Sequence, residues 1–183
     1  MSLLDNSRNK LTYVDYVEFP DDGARHEIIG GEHYVTPSPS SYHQSLSLRL
    51  AVQLYAQVEK AGKGRVLIAP LDVLLSDFDI VQPDLLVVSE SRTSGIKPKN
   101  VQCAPDLAIE ILSQSTAKRD QQLKKSLYQR VGVAEYWIVD PQAHVVEQYC
   151  LDAEGADELQ GTFADKLTAR SLSDVHVDLR EIW

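Results

Sequence analysis

Cysteine is scarce in this sequence: Cys103 and Cys150 are the only two cysteines among 183 residues. They lie far apart and in no Cys-x-x-Cys spacing, so we expect reduced core residues and neither a disulfide framework nor a zinc site. Long apolar runs are also lacking, since no stretch approaches the roughly 20 apolar residues that a membrane span needs. The first ten residues lack the apolar core of a signal peptide, and we therefore expect a cytoplasmic protein.

Basic residues are outnumbered in this chain. Lysine and arginine number 18 against 27 aspartate and glutamate residues, which gives a formal net charge of -9. An acidic protein is poorly suited to general binding of polyanions, so any contact with nucleic acid must come from a local basic patch. The length and the hydrophobic content of 43% suit one buried core, and we expect residues 1–183 to form a single domain.

Two motifs of other enzyme classes are missing as well. The sequence has no Gly-rich loop that could cradle a phosphate and no Gly-x-Ser-x-Gly nucleophile elbow. An enzyme that transfers phosphoryl or acyl groups therefore has no motif to support it.

Alternating strand and helix patterns predict an α/β fold with helices on both faces of a central sheet. Residues 25–29 and 32–35, joined by Gly30-Gly31, predict a β-hairpin, because a two-glycine loop accepts the positive φ of tight hairpin turns. Helical spacing of apolar residues predicts helices over 11–19, 42–61 and 116–131. Largely apolar segments predict strands over 66–75, 84–88, 105–112, 135–139 and 145–149. The acidic stretch 152–165 predicts a solvated loop, and the apolar C-terminal residues are expected to cover the core.

Two carboxylates lie in predicted apolar strands. Asp84 follows Pro83 and opens one strand, and Glu110 lies near the end of another. Strand alternation places Glu110 on one face with Ala108 and Leu112, where an unpaired carboxylate is costly, and this favours a functional role. Asp84 has a second interpretation, as a turn residue whose carboxylate bonds local backbone. If the strands are neighbours, the pair suits Mg²⁺, which is typically held by one or two carboxylates together with substrate phosphate oxygens.

Lys124 follows in the predicted helix 116–131. Asp120, Lys124 and Tyr128 are spaced by four residues and share one stripe beside the apolar stripe that faces the sheet. Lys124 therefore borders the buried face, from which a lysine could orient a water molecule or stabilise developing charge near the carboxylates. An ion pair with Asp120, or a solvated lysine, remains an alternative interpretation of this spacing.

The same helix carries an excess of basic residues that could steer a phosphate backbone towards the site. Asp120 is the one acidic residue within 116–130, and the basic residues are Lys118, Arg119, Lys124, Lys125 and Arg130. Lys118 and Lys125 point outward on the helical pattern and are predicted to bind substrate. His43, near the start of the helix 42–61, is predicted to contact a substrate phosphate or a metal-bound water. The alternative for each is a solvated or capping side chain.

Several segments together resemble the Uma family of restriction-endonuclease-like proteins, within the PD-(D/E)XK nuclease superfamily. The most specific block runs from Pro105-Asp-Leu-Ala-Ile-Glu110-Ile-Leu-Ser113, through Asp120, Lys124 and Tyr128, to Gly132-Val-Ala-Glu-Tyr-Trp-Ile-Val-Asp-Pro141. Further matches are His26-Glu27-Ile28-Ile29-Gly30-Gly31-Glu32, His43-Gln44 and Val81-Gln82-Pro83-Asp84. The resemblance spans roughly residues 11–149.

This resemblance implies a restriction-endonuclease-like α/β fold, with a mixed central sheet flanked by helices and the β-hairpin at its N-terminal side. It implies that Asp84 and Glu110 are catalytic residues and metal ligands, for Mg²⁺ or Mn²⁺. The implied activity is hydrolysis of DNA phosphodiester bonds, with Lys124 as the third catalytic residue. Glu27 is a candidate further acid of the site, although a hairpin strand also tolerates an exposed glutamate.

The chain departs from the superfamily pattern at one position. Leu112 stands two residues after Glu110, where the superfamily usually keeps its lysine. Either Lys124 supplies the missing ammonium from the following helix, or the site is degenerate. The alternative function is therefore a nuclease-fold module that binds nucleic acid or assembles as an oligomer without turnover. We expect a nuclease domain of this size that cuts duplex DNA to pair as a homo-oligomer.

Overall fold

The structure, a computed structural model, describes residues 10–113 and 117–183, with the backbone alone for residues 117–121. The α-helices of the described residues are α1 (Tyr13–Tyr16), α2 (Ser41–Gln57) and α3 (Ala117–Val131), and 3-10 helices cover Glu90–Gly95 and Leu179–Glu181. None of the helices in these ranges is long and apolar enough to cross a membrane. The strands are β1 (Arg25–Ile29), β2 (Glu32–Thr36), β3 (Gly64–Ile68), β4 (Asp72–Ser76), β5 (Asp79–Val81), β6 (Leu85–Ser89), β7 (Asn100–Val101), β8 (Leu107–Ile111), β9 (Glu135–Asp140), β10 (Val145–Leu151), β11 (Asp157–Phe163), β12 (Lys166–Thr168) and β13 (His176–Asp178).

The described strands form one large sheet, one smaller sheet and a two-stranded pair. The large sheet has the order β11-β10-β9-β8-β6-β3, and the smaller one has the order β2-β1-β5-β4-β7. The pairs β8–β9 and β4–β7 are parallel, whereas the pairs β3–β6, β6–β8 and β9–β10 are antiparallel. The predicted mixed sheet is therefore confirmed.

The large sheet is covered on both faces. On one face, Leu46, Leu50 and Leu54 of α2 pack with alternate strand residues such as Ile109 and Trp137. The opposite face packs against α3 and the smaller sheet; its buried cluster contains Leu86, Ala108, Leu127, Tyr128 and Ile138. Strand alternation explains why neighbouring residues of one strand enter different clusters. The expectation of helices on both faces is confirmed.

The predicted hairpin is confirmed as β1 and β2. Ile29 pairs with Glu32 across the turn. Gly30 and Gly31 have φ angles of 61° and 86°, a region that glycine enters without steric cost. In addition, β1 pairs with β5 on its other edge, so β1 is an inner strand of the smaller sheet. The inner position buries most of β1, which a free two-stranded hairpin would leave exposed.

The predicted strand 66–75 is wrong as one element. It is two strands, β3 and β4, which belong to different sheets. Pro70 lies between them and has no N–H to donate to a strand ladder, so the pairing ends there. The chain thereby leaves the large sheet and enters the smaller one.

The prediction of a solvated loop over 152–165 is also wrong in part. Asp157–Phe163 forms β11, the edge strand of the large sheet next to β10. An edge strand has one side open to solvent, and charged residues are common there because they oppose pairing between molecules. Glu158 lies exposed on this strand, so the acidic composition is compatible with a strand at this position.

The C-terminal residues return to the core, as expected. Val175, Val177, Leu179 and Ile182 are buried in the cluster that contains α2. The segment before them is fixed by Glu135, a fully buried carboxylate of β9.

Glu135 uses one carboxylate oxygen, Oε1, within the large sheet and the other, Oε2, to bind the C-terminal segment. Trp137 Nε1 and Gln148 Nε2 donate to Oε1, the former at 2.6 Å. The backbone N–H groups of Arg170 and Ser171 donate to Oε2, each at 2.8 Å. Because these donors are buried or part-buried, removal of the carboxylate would leave several of them without a partner.

We therefore expect Glu135→Ala to lower the free energy of unfolding by about 3 kcal/mol or more, since each unsatisfied buried group costs about 1–3 kcal/mol. Denaturant unfolding of the variant and the native protein measures this difference. Glu154→Ala, in an exposed loop, is the matched control and should change stability by less than about 0.5 kcal/mol. Equal losses in the two variants would contradict the role assigned to Glu135.

Candidate active site

Strand register brings Asp84 and Glu110 to the same place. β6 and β8 are antiparallel neighbours in which Leu85 pairs with Ile109. Continued by one residue, this register sets Asp84 opposite Glu110. The backbone N–H of Ile111 donates to Asp84 Oδ2 at 2.8 Å, which fixes the aspartate against β8. The expectation that the two strands are neighbours is confirmed.

Lys124 reaches the carboxylates from α3. Its Nζ lies 2.8 Å from Glu110 Oε1 and 2.9 Å from Glu27 Oε1. The hydroxyl of Tyr128, one helical turn further, donates to the same Glu110 oxygen at 2.8 Å. The stripe of Lys124 and Tyr128 therefore faces Glu110, and the Lys124 side chain is only 11% exposed. Its catalytic role stays a prediction.

Asp84 is held by two further cationic or basic side chains. Arg25 Nη1 lies 2.7 Å from Asp84 Oδ1, and His43 Nε2 lies 3.1 Å from Oδ2. His43 is fixed in the first turn of α2, where its backbone N–H donates to the N-cap hydroxyl of Ser40. His43, expected to contact substrate, thus contacts a carboxylate of the site.

Arg25 and Glu27 lie beside these carboxylates and Lys124. Arg25 was not predicted from the sequence to be a site residue. Arg25 and Glu27 are two apart on β1 and therefore point to the same side of the smaller sheet. Glu27 is only 4% exposed, and its Oε1 accepts the backbone N–H of Gln82 at 2.7 Å. The signal available in the sequence was the alternation of charged residues in β1. We call Arg25, Glu27, Asp84, Glu110 and Lys124 the charged cluster.

Burial and neighbouring charges shift the pKa values of this cluster in different directions. Burial, with the charges of Asp84 and Glu27, raises the pKa of Glu110 to about 7 although Lys124 opposes this shift. Burial alone would raise the pKa of Asp84, but the His43 hydrogen bond and the charge of Arg25 lower it to about 2. Burial disfavours the Lys124 ammonium, yet Glu110 and Glu27 outweigh it and raise the pKa of Lys124. Asp84 is thus ionised and Lys124 charged at neutral pH.

The charged cluster lines a cavity of about 720 Å³. The other walls include the segment 37–40 before α2 and the residues after β8 and β9. His43 and Tyr136 also line it, and the Tyr136 hydroxyl is buried without a hydrogen-bond partner in the described part of the chain. A ligand in this cavity would meet carboxylates, an ammonium and a guanidinium together.

Of the two lysines predicted to bind substrate, Lys125 is not among the described residues that line this cavity. Lys125 Nζ lies 3.6 Å from the centre of the Tyr149 ring, a cation–π contact on the side of β10. The side chain of Lys118 lies outside the described residues. Their role in binding nucleic acid stays a prediction.

The donor set of the cluster suits a hard divalent cation. Among the described residues, no group of three or more His, Cys, Asp and Glu side chains could hold a metal ion. Mg²⁺ does not need such a group, because it keeps several waters and is usually bound by one or two carboxylates. Asp84 and Glu110, opposed across β6 and β8, supply those two. The residues present therefore fit Mg²⁺ or Mn²⁺.

The raised pKa of Glu110 predicts a specific pH dependence of stability in the absence of metal. Its value is about 7 in the folded protein against 4.5 for the ordinary carboxyl. Protonated Glu110 favours the fold below pH 4.5, and this contribution is lost as the pH rises through 7. Glu110→Gln lacks this titration and does not lose this contribution as the pH rises. The Tm of the variant minus the Tm of the native protein should therefore be larger at about pH 8 than at about pH 5.

Thermal unfolding with EDTA at the two pH values measures this change. Glu154→Gln, in an exposed loop, should follow the native pH dependence. If Glu110→Gln also followed it, the assigned pKa shift would be wrong.

Comparisons with known proteins agree with this architecture. A family model described as "Uma2: Putative restriction endonuclease" matches residues 13–180. A solved structure of "a putative nuclease belonging to DUF820" from Anabaena variabilis ATCC 29413 superposes with a TM-score of 0.78 at 19% identity, covering 94% of this chain and 97% of that one. No curated protein matches the chain. The expected restriction-endonuclease-like fold is confirmed, and since the family model spans most of the chain, this protein belongs to the Uma2 family.

Proposed function

We propose that residues 1–183 form one nuclease domain that hydrolyses DNA phosphodiester bonds with Mg²⁺ or Mn²⁺ as cofactor. The observation that carries the proposal is the contact of Lys124 with Glu110, directly beside Asp84, on the wall of an open cavity. Two carboxylates and a lysine are the groups with which this superfamily performs metal-dependent hydrolysis. The family match supports the nuclease class, and the geometry supports these three residues as its site.

Asp84 and Glu110 would hold the metal ion. Asp84 is ionised well below neutral pH because Arg25 and His43 stabilise its charge. Glu110 is partly protonated near neutral pH, and a bound cation would favour its ionised form. When bound, the metal polarises the scissile phosphate and lowers the pKa of a coordinated water.

Lys124 would orient the attacking water or stabilise the charge that develops on the phosphorus centre. Its ammonium stays protonated and is fixed by two carboxylates, so it needs little rearrangement to meet a developing negative charge. Leu112, at the usual lysine position, packs against the buried cluster under α3 and also lines the cavity, but it has no charge to contribute. The contact of Lys124 with Glu110 thus supports a displaced catalytic lysine over a degenerate module.

Nucleic acid would approach the cavity along basic residues of α3. Lys118 and Lys125 are the residues proposed to contact the phosphate backbone, which an acidic protein must bind through a local patch. Their contribution would be independent of base sequence, because phosphate contacts carry no sequence information directly.

Nicking of supercoiled plasmid with Mg²⁺ or Mn²⁺ tests this proposal. We expect the native protein to nick DNA, and Asp84→Asn, Glu110→Gln and Lys124→Ala each to lower the rate by about a hundredfold or more, the loss typical of an electrostatic catalytic group. Asp77→Asn, Glu154→Gln and Lys166→Ala, all at exposed positions, are the matched controls and should retain the native rate. If the native protein and all variants nicked DNA at the same background rate with and without metal, the proposed nuclease function would be refuted.

Metal binding is also expected to stabilise the fold. A cation that binds only the folded state adds about 2.7 kcal/mol at a hundred times its Kd, so Mg²⁺ or Mn²⁺ should raise the Tm of the native protein. Asp84→Asn should show no such rise, whereas Asp77→Asn should respond like the native protein. A native Tm that is the same with metal and with EDTA would count against the metal site.

A further inference from the structure

Arg25 occupies the oxygen of Asp84 that a cation would need. The other oxygen, Oδ2, already accepts from the Ile111 backbone N–H and faces His43 Nε2. Oδ1 is therefore the oxygen left for coordination, and Arg25 Nη1 lies 2.7 Å from it. A guanidinium and a divalent cation on the same oxygen would repel each other strongly, because burial weakens the screening of their charges.

The charges of the cluster support this competition. Asp84, Glu27 and Glu110 are three buried carboxylates, and Lys124 and Arg25 are the cations placed among them. A buried carboxylate without a partner is costly, so Arg25 supplies for Asp84 the compensation that a metal would otherwise give.

Arg25 also has an unused donor. Its side chain is 17% exposed and lies on the cavity wall. Its Nε is buried and has no hydrogen-bond partner among the described residues. Guanidinium groups bind phosphate through two parallel N–H donors, and Nε with one Nη forms such a pair. The group thus carries donors suited to an oxyanion while it binds Asp84 through Nη1.

We propose that Arg25 is an exchangeable counter-ion, which neutralises Asp84 in the metal-free protein and moves to a phosphate of the nucleic-acid backbone when a divalent cation binds. This inference rests on the proposed nuclease function and adds a residue to it. Metal and phosphate binding are then coupled, because the cation releases the guanidinium and the phosphate accepts it. Arg25 acts here as a positioning residue, whose loss affects the two ligands in opposite directions.

Arg25→Gln tests the exchange without any measurement of activity. Isothermal titration with Mn²⁺ alone should show a Kd at least about tenfold lower than native, since close buried charge pairs contribute at least that much to binding. Fluorescence anisotropy of a short DNA duplex with Ca²⁺, which also takes oxygen ligands, should show weaker DNA binding than native. Arg65→Gln, with its half-exposed side chain outside the cavity, should change neither affinity.

Equal or weaker Mn²⁺ binding by folded Arg25→Gln would overturn the inference. If native protein nicks DNA while this variant binds Mn²⁺ with native affinity, the exchange fails and the nuclease function stands. If the variant binds Mn²⁺ more tightly while no protein nicks DNA, the competition at Asp84 is supported and the nuclease function fails.

The native protein offers a second test should Arg25→Gln not fold. The Nε–H resonance of Arg25 is assigned by its loss in Arg25→Lys, which keeps the positive charge beside Asp84. Addition of Mg²⁺ should shift this resonance in the native spectrum, because the guanidinium leaves Asp84. A resonance that does not move at saturating Mg²⁺ would overturn the exchange.

Discussion

The ammonium of Lys124 links three elements, of which β1 is remote in sequence from β8 and α3. Glu110 belongs to the large sheet, Glu27 to the smaller sheet, and Lys124 itself to α3. Each carboxylate would be costly to bury alone, and a single ammonium at 2.8 and 2.9 Å compensates both. The two sheets and the helix must therefore be docked before the charges are satisfied. The cavity wall and the shifted pKa values of Glu110 and Lys124 depend on this docking.

Glu110 could be predicted from the sequence because it lies in a strongly apolar strand, where alternation puts it on a buried face. Asp84 directly precedes β6, and it was assigned to the site mainly through the resemblance to the Uma family. Lys124 could be placed near the buried face from its stripe on α3, but its contact with Glu110 needed the tertiary structure. Leu112 gave the only sequence signal that the lysine had to come from elsewhere.

Arg25 and Glu27 could not be placed with the same ease. The sequence predicts only a two-stranded hairpin, in which alternate residues are exposed to solvent. Charged residues in β1 would then carry no desolvation cost. β5 changes this, because it adds a third strand beside β1 and buries Glu27. This strand covers only Asp79–Val81, too short for an apolar period to reveal it. The division of the predicted strand 66–75 into β3 and β4 at Pro70 could not be predicted either, because the apolar pattern continues across Pro70.

We propose that the opposed carboxylates of Asp84 and Glu110 form a divalent metal site. Anomalous X-ray diffraction from crystals grown with Mn²⁺ tests this most directly, because it locates the metal independently of activity. We expect an anomalous peak within coordination distance of both carboxylates, on the side of the cavity. Full Mn²⁺ occupancy elsewhere in the protein, with no peak between Asp84 and Glu110, would contradict it.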